Sequence, residues 1–344
     1  MTDTLPPEPA AATLTSAPPA REGSSGRAVE WLAKLGPLIG LVFVFALFSV
    51  LVGERFYRTD NIRIILEQTV IIAVAALGMT LIIISGGIDL SVGSAIAVVT
   101  VVVAEMLNRG YGGPLSALGG IGSGAIMGLL IGVLITRLKL APFIITLGAW
   151  GAYRGLARGI ANEQSVNVQL DIIPAWMKGF LRLGSESKWM VFPSGVYVTL
   201  ILAILMALVL RYTRFGRHVF AIGSNENTAR LCGVHVDRTK ILLYTLAGVM
   251  TGLAGLMSFS YITQGDPNGS AGTELDIIAA VVIGGASLSG GQGTILGTLT
   301  GAVFLTTIAN GCTKMGWPNW VQLIATGAII IVAAALDRLR HRRS

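Results

Sequence analysis

Apolar runs about as long as a bilayer is thick recur along this chain, and a hydrocarbon core about 30 Å across is spanned by about 20 helical residues. A soluble helix would break such a run with polar residues every three or four positions, because one of its faces must stay wet. Here the runs continue for about 17 to 23 residues with few charges inside them. The pattern predicts ten spans: 35–52, 66–85, 92–107, 115–136, 142–158, 194–210, 241–263, 276–289, 294–312 and 320–336. Membrane barrels instead alternate polar and apolar residues over segments of about 10, and that alternation is missing. The predicted fold is therefore all-α: a polytopic membrane protein of about ten transmembrane helices. Composition agrees, with 53% hydrophobic residues, 12% charged and a mean hydropathy of +0.72, a balance that most soluble domains cannot sustain.

Orientation follows from the basic residues, which concentrate in loops facing the cytoplasm. With both termini inside, fifteen of the 25 Lys and Arg residues fall on inner segments, among them Arg137, Lys139, Arg211, Arg214, Arg217, Arg230, Arg238 and Lys240. The net charge of +7 is thus explained by topology and calls for no nucleic acid. Residues 1–30 are rich in Pro, Ala, Ser and Thr, bury too little apolar surface to order themselves, and are expected to form a disordered cytoplasmic tail. The first apolar run continues into a span without a small-residue cleavage pattern, so it reads as an uncleaved anchor. Residues 31–344 are expected to form the transmembrane domain, with a long cytoplasmic loop at 211–240.

Enzyme chemistry finds no foothold. Cys232 lies in an inner loop and Cys312 near the outer end of a span, so they cannot bridge within one chain. His218, His235 and His341 make no metal-ligand cluster, and neither H-E-x-x-H nor G-x-S-x-G occurs. No lysine follows a glycine, which excludes a G-x-x-x-x-G-K-[ST] phosphate loop. The chain is expected to carry no cofactor; ATP and magnesium, if used, belong to another polypeptide.

Glycine carries more information. "GIGSGAIMGLLIG" places Gly120, Gly124, Gly128 and Gly132 at every fourth position, and "GTILGTLTG" does the same with Gly293, Gly297 and Gly301. Small residues at that spacing let helix backbones touch in lipid, so both runs are expected to be packing faces. "SGGIDLSVGS" at 85–94 also lines up with "IGGASLSGGQ" at 283–292, pairing Gly86 with Gly284, Gly87 with Gly285 and Ser91 with Ser289. Paired interruptions of this kind point to a transport pathway. The glycines can end one helix, and Asp89 or Ser91 can cap the next. A second reading places Asp89 at a cytoplasmic gate or against a partner subunit, since an acid near the membrane interior is a functional candidate.

Three stretches together, "LGMTLIIISGGIDLSVGS", "AIGSNENTARLCGVHVDRTK" and "LDIIAAVVIGGASLSGGQGTILGTLTGA", resemble the permease subunit of bacterial ABC sugar importers of the ribose, xylose and arabinose type, over roughly residues 40 to 336. The resemblance implies an inner-membrane permease dimer of identical or paralogous chains, two cytoplasmic ATPase domains and a periplasmic sugar-binding protein. Importer permeases carry a coupling helix written Glu-Ala-Ala, three residues, then Gly. Asn227, Thr228, Ala229 and Gly233 take those positions here, with Asn and Thr departing from the pattern. Ser224, Asn225 and Glu226 complete the expected ATPase contact, and Ser224 or Asn225 is the expected cap of a short helix. Without the resemblance, 211–240 also reads as a solvated basic loop. Polar and aromatic residues inside the spans, candidates for the substrate path, are Glu67, Gln68, Glu105, Thr146, Trp150, Tyr153, Tyr244, Ser258 and Asn310. Two competing functions remain at this level: a nucleoside or branched-chain amino acid permease of the same superfamily, or an ion-coupled transporter using Glu67 or Glu105.

Overall fold

The computed structural model describes residues 24–181, 191–318, 320–324, 327–328 and 331. The chain divides into two units, 1–36 and 37–344. In the first, helix begins at Ser24, the start of α1 (Ser24–Val52). Residues 24–30, expected in the disordered tail, are therefore helical; "AVEWLAKL" at 28–35 overlaps them and supplies strong helix formers. Residues 1–23 and most of the predicted tenth span lie outside the described residues.

The second unit continues with α2 (Glu54–Tyr57), α3 (Thr59–Ile84), α4 (Val92–Asn108), α5 (Gly113–Leu138), α6 (Pro142–Ile160), β1 (Val166–Asn167), α7 (Ala175–Lys178) and α8 (Ser194–Tyr212). It goes on through α9 (Arg214–Ser224), α10 (Glu226–Leu231), α11 (Val236–Ile262), β2 (Gln264–Gly265), α12 (Thr273–Ile283) and α13 (Ile295–Lys314). The all-α expectation thus acquires one small exception, an antiparallel pairing of Val166 with Gly265 and Asn167 with Gln264. Helices α3, α5, α8, α11 and α13 are long and apolar enough to cross a membrane. The predicted eighth span, 276–289, is not a full crossing: α12 has 11 residues and stops at Ile283. The 211–240 loop is also more ordered than expected, since α9, α10 and the first turn of α11 occupy most of it.

Helix α3 is the centre of the bundle. Its residues from Ala73 to Ile84 are buried on every side, as an all-round apolar helix requires, and it packs on α11, α13, α12 and α8. Three polar pairs fix it to α13: Asn61 Nδ2 donates to Asn310 Oδ1 at 2.9 Å, the Thr69 and Thr306 hydroxyls meet at 2.5 Å, and those of Thr80 and Thr298 at 2.7 Å. In an apolar surrounding each such bond contributes about 0.6 to 2 kcal/mol and sets the register of the two helices. Asn310 is therefore occupied as glue rather than exposed to a path.

The most extensive helix contact joins α5 to α11. A β-carbon on Gly124 would lie 2.6 Å from the Gly248 carbonyl oxygen, one on Gly128 would lie 2.9 Å from Gly248 Cα, and one on Gly132 would lie 2.9 Å from Ile241 Cα. Gly248 and Gly252 of α11 answer the α5 glycines with backbone of their own. The second predicted glycine face is shorter than expected. Gly293 lies before Thr294, the N-cap of α13, and packs against Ile84 and Ala286 outside any helix. Gly297 and Gly301 are on α13 and face Gly284 and Ala280 of α12. By contrast, α8 leaves Leu200, Ile201, Ile204, Leu205 and Leu208 exposed.

Candidate functional site

At the end of the bundle where α8 gives way to α9 and α11 begins, the chain builds an amphipathic corner. Thr213 caps α9 by accepting a hydrogen bond from Gly216 N at 3.1 Å. Gly216, Val219 and Ile222 face inward, while Arg214 and Arg217 stay exposed. Asn225 then caps α10, its Oδ1 accepting from Thr228 N at 2.8 Å; Ser224, the other expected cap, belongs to the last turn of α9. Ala229 is the buried residue of α10, packed with Ile222 and Val236. Gly233 ends the helix at φ +84°, with Gly233 N bonded to Arg230 O and Val234 N to Ala229 O. That pair of bonds is a Schellman cap, which demands a left-handed residue at the glycine position.

Ala and Gly therefore sit where small size and positive φ are required, whereas the departures from the importer pattern, Asn227 and Thr228, are exposed. Glu226 is pinned from the side by Lys240 Nζ at 2.7 Å, and Arg230 reaches Asp237 at 3.3 Å. A cleft of about 500 Å³ opens next to these charges, bounded on its far wall by Lys139, Leu140, Ala141 and Pro142. Leu231, at the tip, is 89% exposed. The corner thus presents a short helix, rigidly held from beneath, with an apolar tip and a charged flank.

Two glycine turns meet this corner from inside the bundle. At the end of α3, Gly86 N bonds to Ile83 O and Gly87 N to Ile82 O; at the end of α12, Gly285 N bonds to Val282 O and Ala286 N to Val281 O. Both are Schellman caps, with the left-handed residue at Gly86 (φ +82°) and Gly285 (φ +91°). The equivalence is one residue off the predicted alignment: Gly86 corresponds to Gly285, while Gly284 has φ −65° and serves the α12–α13 contact. The turns are joined directly, Gly291 N donating to Ile84 O at 2.8 Å. Gly223 closes the junction, since a β-carbon there would overlap the Ile84 carbonyl and lie 2.6 Å from Gly291 N. A β-carbon on Gly291 would lie 2.9 Å from Ser224 Oγ. Ser289 is exposed at the rim, its N–H held by Ser287 Oγ at 3.2 Å. Residues of α3, α9 and the loop after α12 are therefore in backbone contact immediately below α10.

Beyond Gly87 the chain turns into the bundle. Asp89 is 6% exposed, and its Oδ1 accepts from both Ser91 N (2.8 Å) and Ser91 Oγ (2.7 Å), forming a local turn that launches α4. It is enclosed by α4, α5, α6 and α11, with a void of about 10 Å³ beside Gly128, Tyr153 and Gly248, room for about one water. The structure thus places Asp89 inside the helix bundle. Of the expected path residues, Tyr153 donates to Met127 O at 2.9 Å, Thr146 to Ile88 O at 3.1 Å, and Glu105 pairs with Arg109 at 3.4 Å. Tyr244 stands over Gly87, where a β-carbon would lie 2.6 Å from its hydroxyl.

Sequence reasoning passed over Gly223, Gly248, Gly252, Arg154 and Glu274. The α11 glycines repeat every fourth residue in "GVMTG", a signal of the same kind as the α5 run. Gly223, Arg154 and Glu274 belong to no spacing pattern, and only the fold brings them to their partners.

The family of branched-chain amino acid transport system permease components matches residues 61–334. The chain belongs to this permease family. It is 36% identical over 315 residues to the ribose import permease RbsC of Bacillus subtilis, covering 89% of this chain and 93% of that one. It is 36% identical to the fructose import permease FrcC of Rhizobium meliloti, over 88% and 84% of the two chains. The xylose transport system permease XylH of Haemophilus influenzae is 30% identical, over 89% and 96%. No solved structure matches. This permease is accordingly a multi-pass inner-membrane subunit of an ATP-binding cassette importer, a transport protein and not an enzyme, which works with a separate ATPase and a substrate-binding protein. The ion-coupled alternative falls with that assignment.

Proposed function

We propose that this permease conducts a monosaccharide, a pentose or hexose, across a bacterial inner membrane, with both termini cytoplasmic and the α9–α10 corner facing a cytoplasmic ATPase that binds ATP and magnesium. The observation that carries the reading is the three-way backbone contact of Gly223–Ser224, Ile84–Gly86 and Gly290–Gly291 under an exposed, capped α10. A push on α10 is delivered through close-packed backbone to the ends of α3 and α12, because packed interiors transmit strain rather than absorb it. Ser224, Asn225, Glu226, Asn227, Thr228, Ala229 and Gly233 form the coupling element in this reading. Gly86, Gly87, Asp89, Ser91, Gly284, Gly285 and Ser289 form the breaks about which the helices rock. The sugar assignment draws on the ribose, fructose and xylose permeases to which the chain is similar. A second permease copy completes the path: Gly148, Gly151, Gly155 and Gly159 of α6 have open space where a side chain would stand, a smooth face suited to another helix. The exposed α8 leucines and isoleucines meet lipid.

Reconstitution tests the function. Alone in liposomes the chain is expected to show neither ATP hydrolysis nor concentrative uptake; with its ATPase and binding protein it takes up radiolabelled ribose, xylose or fructose. Uptake of leucine in place of every sugar, or ionophore-sensitive uptake by the lone chain, contradicts the reading.

Gly233→Trp separates a docking surface from a free loop. Among the described residues nothing lies within 4 Å of a β-carbon at Gly233. The variant is strained by its positive φ, at a cost of about 1 to 3 kcal/mol, and places a large ring on the docking face. The membrane helices are expected to stay folded while co-purification of the ATPase is lost. Gly233→Asn, which tolerates the left-handed conformation, is expected to retain it.

A further inference from the structure

Between α11 and α12 the chain runs back into the bundle without helical structure. Gly265 lies against Val101 and Ala104 of α4, Asp266 N donates to Thr100 Oγ1 at 3.2 Å, and the Ser270 carbonyl and Glu274 carboxylate both lie against Gly93. From Ala104 to Gly93 the segment descends about 16 Å along α4. Irregular backbone at membrane depth persists only where protein buries it or where it lines a polar cavity.

Arg154 of α6 holds this segment. Its Nη1 donates to the carbonyls of Pro267 (3.0 Å) and Gly269 (2.8 Å), while Arg158 Nε donates to Asn268 Oδ1 at 2.9 Å. That leaves Arg154 Nη2 without a partner among the described residues, and the same is true of Glu274 Oε2 on the first turn of α12. Both residues are only 9% exposed. Their charges are near enough to interact, yet no ion pair joins them among the described residues. A buried charged atom without a partner is costly, and ionisable side chains inside a membrane protein mark substrate pathways by default.

We propose that Arg154 and Glu274 bind neighbouring hydroxyl groups of the passing sugar, Arg154 Nη2–H donating to one oxygen and Glu274 Oε2 accepting from the adjacent O–H. The proposal rests on the monosaccharide reading given above. A donor and an acceptor held apart suit a neutral polyol. A lone cation would meet the guanidinium, and a lone anion would meet Glu274 with Asp266 and Asp276 close by in the chain. Asn268 and Ala271 are exposed on the segment that covers the pair.

The test uses the full complex of permease, ATPase and binding protein in proteoliposomes. The probe is whichever of ribose, xylose and fructose the wild type takes up, together with its monodeoxy analogues, each at a concentration that saturates the binding protein. Glu274→Gln is expected to lower uptake of the parent sugar by at least about tenfold while binding-protein-stimulated ATP hydrolysis persists. One deoxy analogue should be taken up poorly by the wild type, and Glu274→Gln should no longer distinguish it from the parent. If that variant does not reach the membrane, Glu274→Asp, which keeps the charge and withdraws it by one methylene, is judged by the same loss of discrimination. Unchanged uptake, or a parallel fall for every analogue with discrimination intact, overturns the proposal. A wild type that takes up none of the three sugars removes the monosaccharide reading instead, which keeps the two failures distinct.

Discussion

Gly128→Leu is expected to prevent the permease from accumulating as a folded, monodisperse protein. A β-carbon at this position already overlaps the Tyr244 carbonyl oxygen and lies 2.9 Å from Gly248 Cα and 3.0 Å from Gly248 N. The opposing atoms are backbone, so no rotamer change relieves the overlap, and α5 must separate from α11 along the most extensive helix contact in the bundle. Overpacking in a close-packed interior costs about 1 to 3 kcal/mol even where side chains can yield; here the cost is expected to exceed about 3 kcal/mol. Separation would also open the enclosure around Asp89, which Gly124, Gly128 and Gly248 help to form. Thermal unfolding in detergent, followed by size-exclusion chromatography, measures the effect. Gly297→Leu, whose β-carbon overlaps the Gly284 carbonyl, should behave similarly, whereas Leu134→Ile, at a side chain 42% exposed, should match the wild type within about 0.5 kcal/mol. Wild-type stability in both leucine variants would show that these faces meet lipid.

What the sequence made legible was whatever a period or a composition can express. Long apolar runs gave α3, α5, α8, α11 and α13 because a membrane crossing needs an unbroken stretch. The α5 glycines were visible because their spacing matches one helical face. The caps were readable in kind but not in register: alignment paired Gly86 with Gly284, yet the residue that must be left-handed is fixed by where each helix ends, and α12 ends so that Gly285 takes that role. Helix α12 was drawn too long for a related reason. Its apolar residues run on into "GGASL", and hydropathy does not register that Gly284 and Gly285 terminate the hydrogen-bond ladder. Helix α9 was hidden by its arginines, which suggested a solvated loop although Gly216, Val219 and Ile222 fall on one face. Arg154 and Glu274 lie 120 positions apart in the chain, and nothing local reveals that a re-entrant segment brings them into each other's field. Pairings across such separations belong to the tertiary fold, which periodicity does not encode.

Gly223→Ala tests coupling at the junction itself. The added methyl would overlap the Ile84 carbonyl and press on Gly291 N, so α9 must move away from the ends of α3 and α12. The exposed surface of α10 is unaltered, with Asn225 still capping it and Glu226 still paired with Lys240, so the ATPase should bind as in the wild type. What should be lost is the mechanical path beneath. The deciding measurement is ATP hydrolysis by the reconstituted complex with and without sugar-loaded binding protein, with ATPase co-purification and thermal stability of the permease recorded on the same preparations. A normally assembled Gly223→Ala complex is expected to hydrolyse ATP at its basal rate, with stimulation by the binding protein reduced at least about tenfold and uptake reduced with it. Full stimulation and uptake in a folded Gly223→Ala complex would contradict transmission through the contact of Gly223 with Ile84 and Gly291.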